Sequence, residues 1–236
     1  MCVCICMSRT CKSPRKVLLT AWGVAKSALP EFSHKFSPKK FTQHQLFACL
    51  VLKEFLRLDY RKLTALLKDA DQLANAIELE QIPHFTTFQK AADRLLLFRP
   101  AGRLLDETTH AAIANGTMRR RVDLAAVDGT GLETRHASNY YVKRHSTGGK
   151  SWQKITYKRF PKAGILYDCA SHMILAVVPA RGPGPDIKHF RKALDQALTR
   201  VSLDTLTADA GYDSERSQNR NGDAASLSRE SKRGRS

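Results

Sequence analysis

The feature that most limits how this chain folds is a change of hydrophobic period near Arg119. Upstream, from Phe41 to about Asn115, apolar residues recur at helical spacing, as Leu46, Phe47, Leu50, Val51 and Phe55 do. Downstream, short apolar runs read as strands: Val122 to Val127, Ala163 to Cys169, His172 to Val178 and Thr205 to Ala208. A helix from Asp186 to Leu198, with Phe190, Leu194 and Leu198 on one face, interrupts that series. The downstream order is therefore strand, strand, strand, helix, strand. The strands flanking Ala170-Ser171 make an antiparallel hairpin, and the helical crossover returns the last strand parallel within the same sheet. The fold class expected is α+β, an N-terminal helical bundle followed by an α/β core.

Within the helical half, Thr42-Gln-His-Gln45 has the form of a helix start, and Arg57-Leu-Asp59 closes that helix. A shorter helix follows, with Leu63, Leu66 and Leu67 on one face. A connector holding Ile82 and Pro83 leads to a helix capped by Thr86 or Thr87, with Phe88, Ala91, Leu95 and Leu96 as its apolar stripe. A further helix runs from Ala101 to Ala114 and ends near Asn115-Gly116. A threonine-led helix after a turn allows a helix-turn-helix reading of DNA, although any small helical bundle shows the same pattern. The expected division is a basic, partly disordered leader over 1–40, a helical domain over 41–116, a core over 117–216, and a Ser/Arg/Gly/Asn-rich disordered tail over 217–236.

Charge narrows the partners. The chain of 236 residues carries a formal net charge of +17, which calls for a polyanion. No apolar run approaches the roughly 18 residues that span a bilayer, so no membrane partner is expected. The first residues place cysteines where a signal peptide has its apolar region, and a cytoplasmic, nucleoid-associated protein with reduced thiols is expected. Cys2, Cys4, Cys6 and Cys11 lack metal-ligand spacing, while Cys49 and Cys169 sit in apolar runs as small core residues.

Two aspartates carry the chemistry. Asp128 closes Leu124-Ala-Ala-Val-Asp128 and Asp209 closes Leu206-Thr-Ala-Asp209, with Gly129 and Gly211 just beyond to let the backbone turn sharply. If the last strand lies beside the first, the two carboxylates become neighbours, an arrangement that holds hard divalent cations next to a phosphodiester. The competing role for each is to cap a turn, which is also the reading for Asp168, Asp186 and Asp213. Arg119-Arg120-Arg121 forms a basic collar. The polar, aromatic stretch from Arg135 to Lys162 offers Lys143, Arg144, Lys150, Lys154, Lys158 and Arg159 to DNA phosphates, with Tyr140, Tyr141 or Trp152 to stack on bases. His136, His145 and His189 read as surface residues.

Asp128-Gly-Thr-Gly131 and Asp209-Ala-Gly-Tyr-Asp213-Ser214 resemble the first two catalytic motifs of bacterial insertion-sequence DDE transposases of the IS-four-like kind. The segments Phe41-Thr-Gln-His-Gln45 and Pro83-His-Phe-Thr-Thr-Phe88 are similar to that family's N-terminal domain, and the resemblance runs from about Lys16 to Arg216. It implies a ribonuclease-H-like core, two Mg2+ (or Mn2+) ions, and an Asp-Asp-Glu triad acting on double-stranded transposon ends. In that triad Asp128 bridges both ions and Asp209 binds one. The family's second Asp is followed by a long stretch carrying the catalytic Glu, whereas here 27 residues follow Asp209 (236 minus 209) and their acids are Asp213, Glu215, Asp223 and Glu230. Glu215 is too close to sit across the site, and Glu230 lies in the tail. The expectation is a truncated or frameshifted copy with an incomplete core and weak or no catalysis, self-associating or joining intact transposase. The alternative is a non-catalytic DNA-binding protein that competes with intact transposase for the ends.

Overall fold

The computed structural model describes residues 12–36, 38–131, 139–145, 152–158, 160–182, 187–209 and 226–227. The chain divides into two compact units between Thr117 and Met118.

Unit 1 is helical: α1 (Pro14–Ala28), α2 (Gln43–Phe55), α3 (Tyr60–Asp69), α4 (Asp71–Ala76), α5 (Phe85–Leu95) and α6 (Phe98–Ala114). Within the stretch expected as a basic, partly disordered leader over 1–40 lies α1, whose Leu18, Ala21, Ala25 and Ala28 form a buried stripe. Three of those four are alanines, so the stripe is faint in sequence although it packs on α2 and α6. Pro14 supplies the preset φ of a first helical residue, and Ser13 Oγ accepts from Lys16 N–H at 3.4 Å. The helix start at Thr42 is a capping box: Thr42 Oγ1 accepts from Gln45 N–H at 3.1 Å, and Gln45 Oε1 accepts from Thr42 N–H at 3.0 Å. Asp59 caps α3 by accepting from Lys62 N–H at 2.7 Å.

Two details of α5 differ from expectation. His84, not a threonine, takes the cap position, and its Nδ1 lies 2.9 Å from Thr86 Oγ1. Leu96 is 65 % exposed because the helix ends at Leu95, while Phe88, Ala91 and Leu95 are buried as expected. The α6 helix stops where Gly116 takes a φ of 74°, a conformation open to glycine. Leu18, Leu52, Leu63, Leu67, Ile77 and Phe88 form the centre of the core.

Unit 2 holds β1 (Arg121–Gly131), β2 (Asn139–His145), β3 (Trp152–Lys158), β4 (Phe160–Asp168), β5 (Ile174–Gly182), α7 (Ile187–Leu198), β6 (Ser202–Ala208) and β7 (Ser226–Leu227). The main sheet runs β5-β4-β1-β6-β7. Its β5, β4 and β1 are antiparallel neighbours, while β6 lies parallel to β1 and β7 parallel to β6. This meander, continued by a parallel strand after a helical crossover, is the arrangement of a ribonuclease-H-like core. The four long strands and α7 follow the expected order. The β2–β3 ribbon does not, since the stretch from Arg135 to Lys162 was expected only as a polar, basic segment. Ser226–Leu227 pairs beside β6, and the other residues of 217–236 lie outside the described residues, as do Asp186 and Asp213.

The hairpin turn at Ala170-Ser171 is held by Asp168, whose carboxylate accepts from the N–H groups of Ala170 (3.0 Å) and Ser171 (3.1 Å) and from the Ser171 hydroxyl. Asp168 is thus a turn residue, as read. The α7 helix packs on β4 and β5. It approaches so closely at Gly164 that a Cβ there would lie 2.9 Å from His189 Cβ, so half-buried His189 is a packing residue rather than a free surface one. Arg200 Nη1 donates to Leu175 O at 2.8 Å and Gln196 O at 3.0 Å, tying the end of α7 to β5.

Candidate metal centre

The site is set by where two strand pairings stop. β1 pairs with β6 from Arg121↔Ser202 to Val127↔Ala208, and with β4 on its other side as far as Gly131↔Lys162. Asp128 is therefore the first residue of β1 past its parallel partner, and Asp209 is the first residue past β6. Both stand one step beyond the Val127↔Ala208 pair, at one level of adjacent strands spaced about 5 Å apart. Both side chains are exposed. Gly129 N–H donates to Asp128 Oδ1 at 2.7 Å.

One expectation needs correction. Asp128 does not end its strand, and no sharp turn follows it: β1 continues through Gly131, with Gly129 opposite Gly164. Pairing with β4 keeps the backbone extended after β6 has stopped.

Strand alternation separates the two faces of the sheet. Val127 pairs with Leu166 on the face that carries Gly164 and α7, so Asp128 and its partner Ile165 lie on the opposite face. Leu124 shares the Asp128 face and is 40 % exposed. Thr207 Oγ1 donates to Ala125 O at 3.3 Å, and Arg121 Nε bonds both oxygens of Asp204 at 2.9 and 2.8 Å, so β1 and β6 are stapled along their length. That ion pair holds the Arg121 guanidinium above its ordinary value, first through the hydrogen bond it donates to Asp204.

The other predicted site residues fall in two places. Arg119, Arg120 and Arg121 flank the start of β1, seven residues and about 23 Å from Asp128 along the strand. Arg119 lies 3.8 Å from Asp123, and Arg121 is engaged by Asp204. Lys143, Arg144, Lys154 and Lys158 sit on the β2–β3 ribbon, in the connection that leaves β1 at its carboxylate end, with Lys143 opposite Lys154. Lys150, Arg159, Glu215 and Glu230 lie outside the described residues. Among the described residues, no three His, Cys, Asp or Glu side chains converge on a point that could hold a metal ion. Two exposed carboxylates nonetheless suit a hard cation such as Mg2+ or Mn2+, which retains several waters and takes one or two protein carboxylates.

A mixed sheet of this order after a helical region, with one carboxylate on β1 and one just past its parallel neighbour β6, defines the class as a ribonuclease-H-like core. Residues 121–220 match the sequence family described as "Transposase DDE domain", which supports a DDE transposase. DDE transposases in general act on DNA with divalent metal ions. No curated protein and no solved structure matches the chain. Among the described residues, no helix is long and apolar enough to cross a membrane.

Proposed function

We propose that this chain is an IS-four-like transposase that binds the terminal inverted repeats of its transposon and performs Mg2+- or Mn2+-dependent strand cleavage and transfer. Asp128 and Asp209 are the carboxylate ligands in this reading. The observation that carries it is the parallel register that ends at Val127↔Ala208 and leaves both acids at one level. Cations bound there would polarise the attacking water or 3′-hydroxyl and stabilise the leaving oxygen. The chain's own contribution is positioning. The Gly129 N–H orients the Asp128 carboxylate, and the exposure of both acids leaves room for a phosphodiester. A third carboxylate completes the family triad, and in this reading it comes from outside the described residues.

The β2–β3 ribbon supports the DNA part of the proposal. Lys143 stands opposite Lys154 in the ribbon's register, and two lysines at one register position suit a phosphate backbone. Arg144 and Lys158 lie on the same ribbon, Lys150 and Arg159 are proposed as further phosphate contacts from outside the described residues, and Arg119, Arg120 and Arg121 would meet a different stretch of the same duplex. A DNA partner also fits a cytoplasmic, nucleoid-associated protein.

The test is cleavage of a labelled terminal inverted repeat in Mg2+. Cutting that is abolished by Asp128→Ala and by Asp209→Ala is the expected result. Cutting that survives both substitutions sinks the assignment. Salt-sensitive binding with no cutting would instead favour a non-catalytic protein that competes with intact transposase for the ends.

A further inference from the structure

Unit 1 carries its charge unevenly. Residues 12–42 hold seven Lys and Arg against one acid, Glu31, whereas residues 43–117 hold nine against nine. The positive surface of this unit is therefore α1 and the connector that follows it, and α5 belongs to the electrically neutral part. From these residues we infer that the α1–α2 connector, through Lys35, Lys39, Lys40 and the ring of Phe36, is a nucleic-acid contact site that holds duplex DNA by its phosphates. The identity of the ligand rests on the transposase reading above, and the site itself rests on the connector.

The connector is built as an anchored projection. Its first residues are pinned to the first turn of α2: Gln43 Nε2 donates to Pro30 O at 2.9 Å, Gln43 N–H donates to Glu31 O at 2.7 Å, and the His44 Nε2 atom lies 2.8 Å from Leu29 O. Gln43 is buried to make these bonds, and the capping box at Thr42 fixes where the connector ends. Between the anchors, His34 to Phe36 and Pro38 to Lys40 are exposed. Phe36 N–H donates to His34 Nδ1 at 3.2 Å, which folds the tip into a turn.

At that tip Phe36 is 82 % exposed, the most exposed of the large apolar side chains noted in the fold. Its ring has the His34 ring at 5.4 Å and Lys35 Nζ at 5.9 Å. An aromatic ring left in water costs free energy that folding does not recover, and here the ring stays exposed with one lysine ammonium near it. Cations that hold phosphates beside a ring that stacks on or wedges against a base are the parts of a nucleic-acid contact.

The experiment uses the full chain and a labelled mixed-sequence duplex in EDTA, with affinity measured against salt concentration. Each phosphate contact contributes about 0.9 to the slope of log K against log salt. Replacing Lys35, Lys39 and Lys40 by Gln is expected to lower that slope by about 3 with the thermal transition unchanged. A control variant, with Lys62, Lys68 and Lys90 changed to Gln, removes the same charge from the neutral part and is expected to leave most of the slope intact. Equal losses in both variants, or an unaltered slope in the connector variant, would overturn the site. Phe36→Ala is expected to weaken binding on the order of tenfold at constant slope, with Phe36→Tyr restoring it. Full binding by Phe36→Ala would remove the ring from the site. A chain that binds through the connector but never cuts would refute the catalytic reading and leave this one standing.

Discussion

Alanine at Gly182 would overlap the Phe160 ring, which also lies 3.0 Å from a Cβ built at Gly131, whereas alanine at Gly23 of α1 meets nothing within 4 Å. Phe160 thus fills the space that glycines on β1 and β5 leave open beside it. The same substitution should have opposite signs at the two places. Gly182→Ala is expected to cost about 1–3 kcal/mol by overpacking, and Gly23→Ala to stabilise by about 0.5–1 kcal/mol by removing a mid-helix glycine. Urea titrations of both variants check this, and a destabilised Gly23→Ala would show that the open space is not open. Burial pushes the Cys49 thiol up to about 12. Its raised value means that the thiol's contribution to stability is complete below an ordinary pKa near 9 and is lost as pH rises toward 12. Cys49 should therefore resist alkylation in native protein at pH 8 and react on unfolding. At this scale the places of Asp128 and Asp209 just past the β1–β6 pairing were legible because each follows an apolar run. The Arg121–Asp204 clamp was not, because its partners lie 83 positions apart and pair only once the strands do.

Among the elements, α2 was readable from its cap and α7 from its stripe, while α1, α4 and the β2–β3 ribbon were not. Each failure has a physical source. The α1 stripe is mostly alanine, α4 spans only six residues, and the ribbon is so rich in charge that its alternation is hidden. The caps are testable separately from the packing. Thr42→Ala removes one half of the capping box and should cost about 1 kcal/mol, read as a lower melting temperature of the helical signal. Asp59 offers a pH handle. The Lys62 backbone N–H, foremost, holds its carboxyl below the ordinary value. A depressed folded value means that the cap's contribution is complete above the unfolded carboxylate pKa of about 4 and is lost as pH falls through the lower folded value. Asp59→Asn should thus lose less helical stability than the wild type between about pH 4 and pH 2. Parallel acid curves for the two proteins would refute the assignment of this cap.

For the whole molecule, the two units have separate interiors. Among the described residues, the cluster around Leu52 and Phe88 draws on residues 18–104 and their helical neighbours up to Ala111, and the sheet of unit 2 packs against α7. Residues 1–117 should therefore unfold cooperatively when expressed alone, with the far-ultraviolet signature of helix. A broad, non-cooperative melt would show that unit 1 needs unit 2. Within unit 2 the contacts differ in how far along the chain they reach. The β4–β5 hairpin closes across a single turn, but the bonds that join β1 to β6 link residues 82 positions apart. Long-range parallel pairing is among the slower events in folding because the chain must close a large loop before any bond rewards it. Asp128 should thus sit in a finished meander before β6 brings Asp209 beside it. On the metal-binding reading of this pair, a metal-binding signal should rise with the phase that joins β6 to β1 rather than with the first appearance of strand.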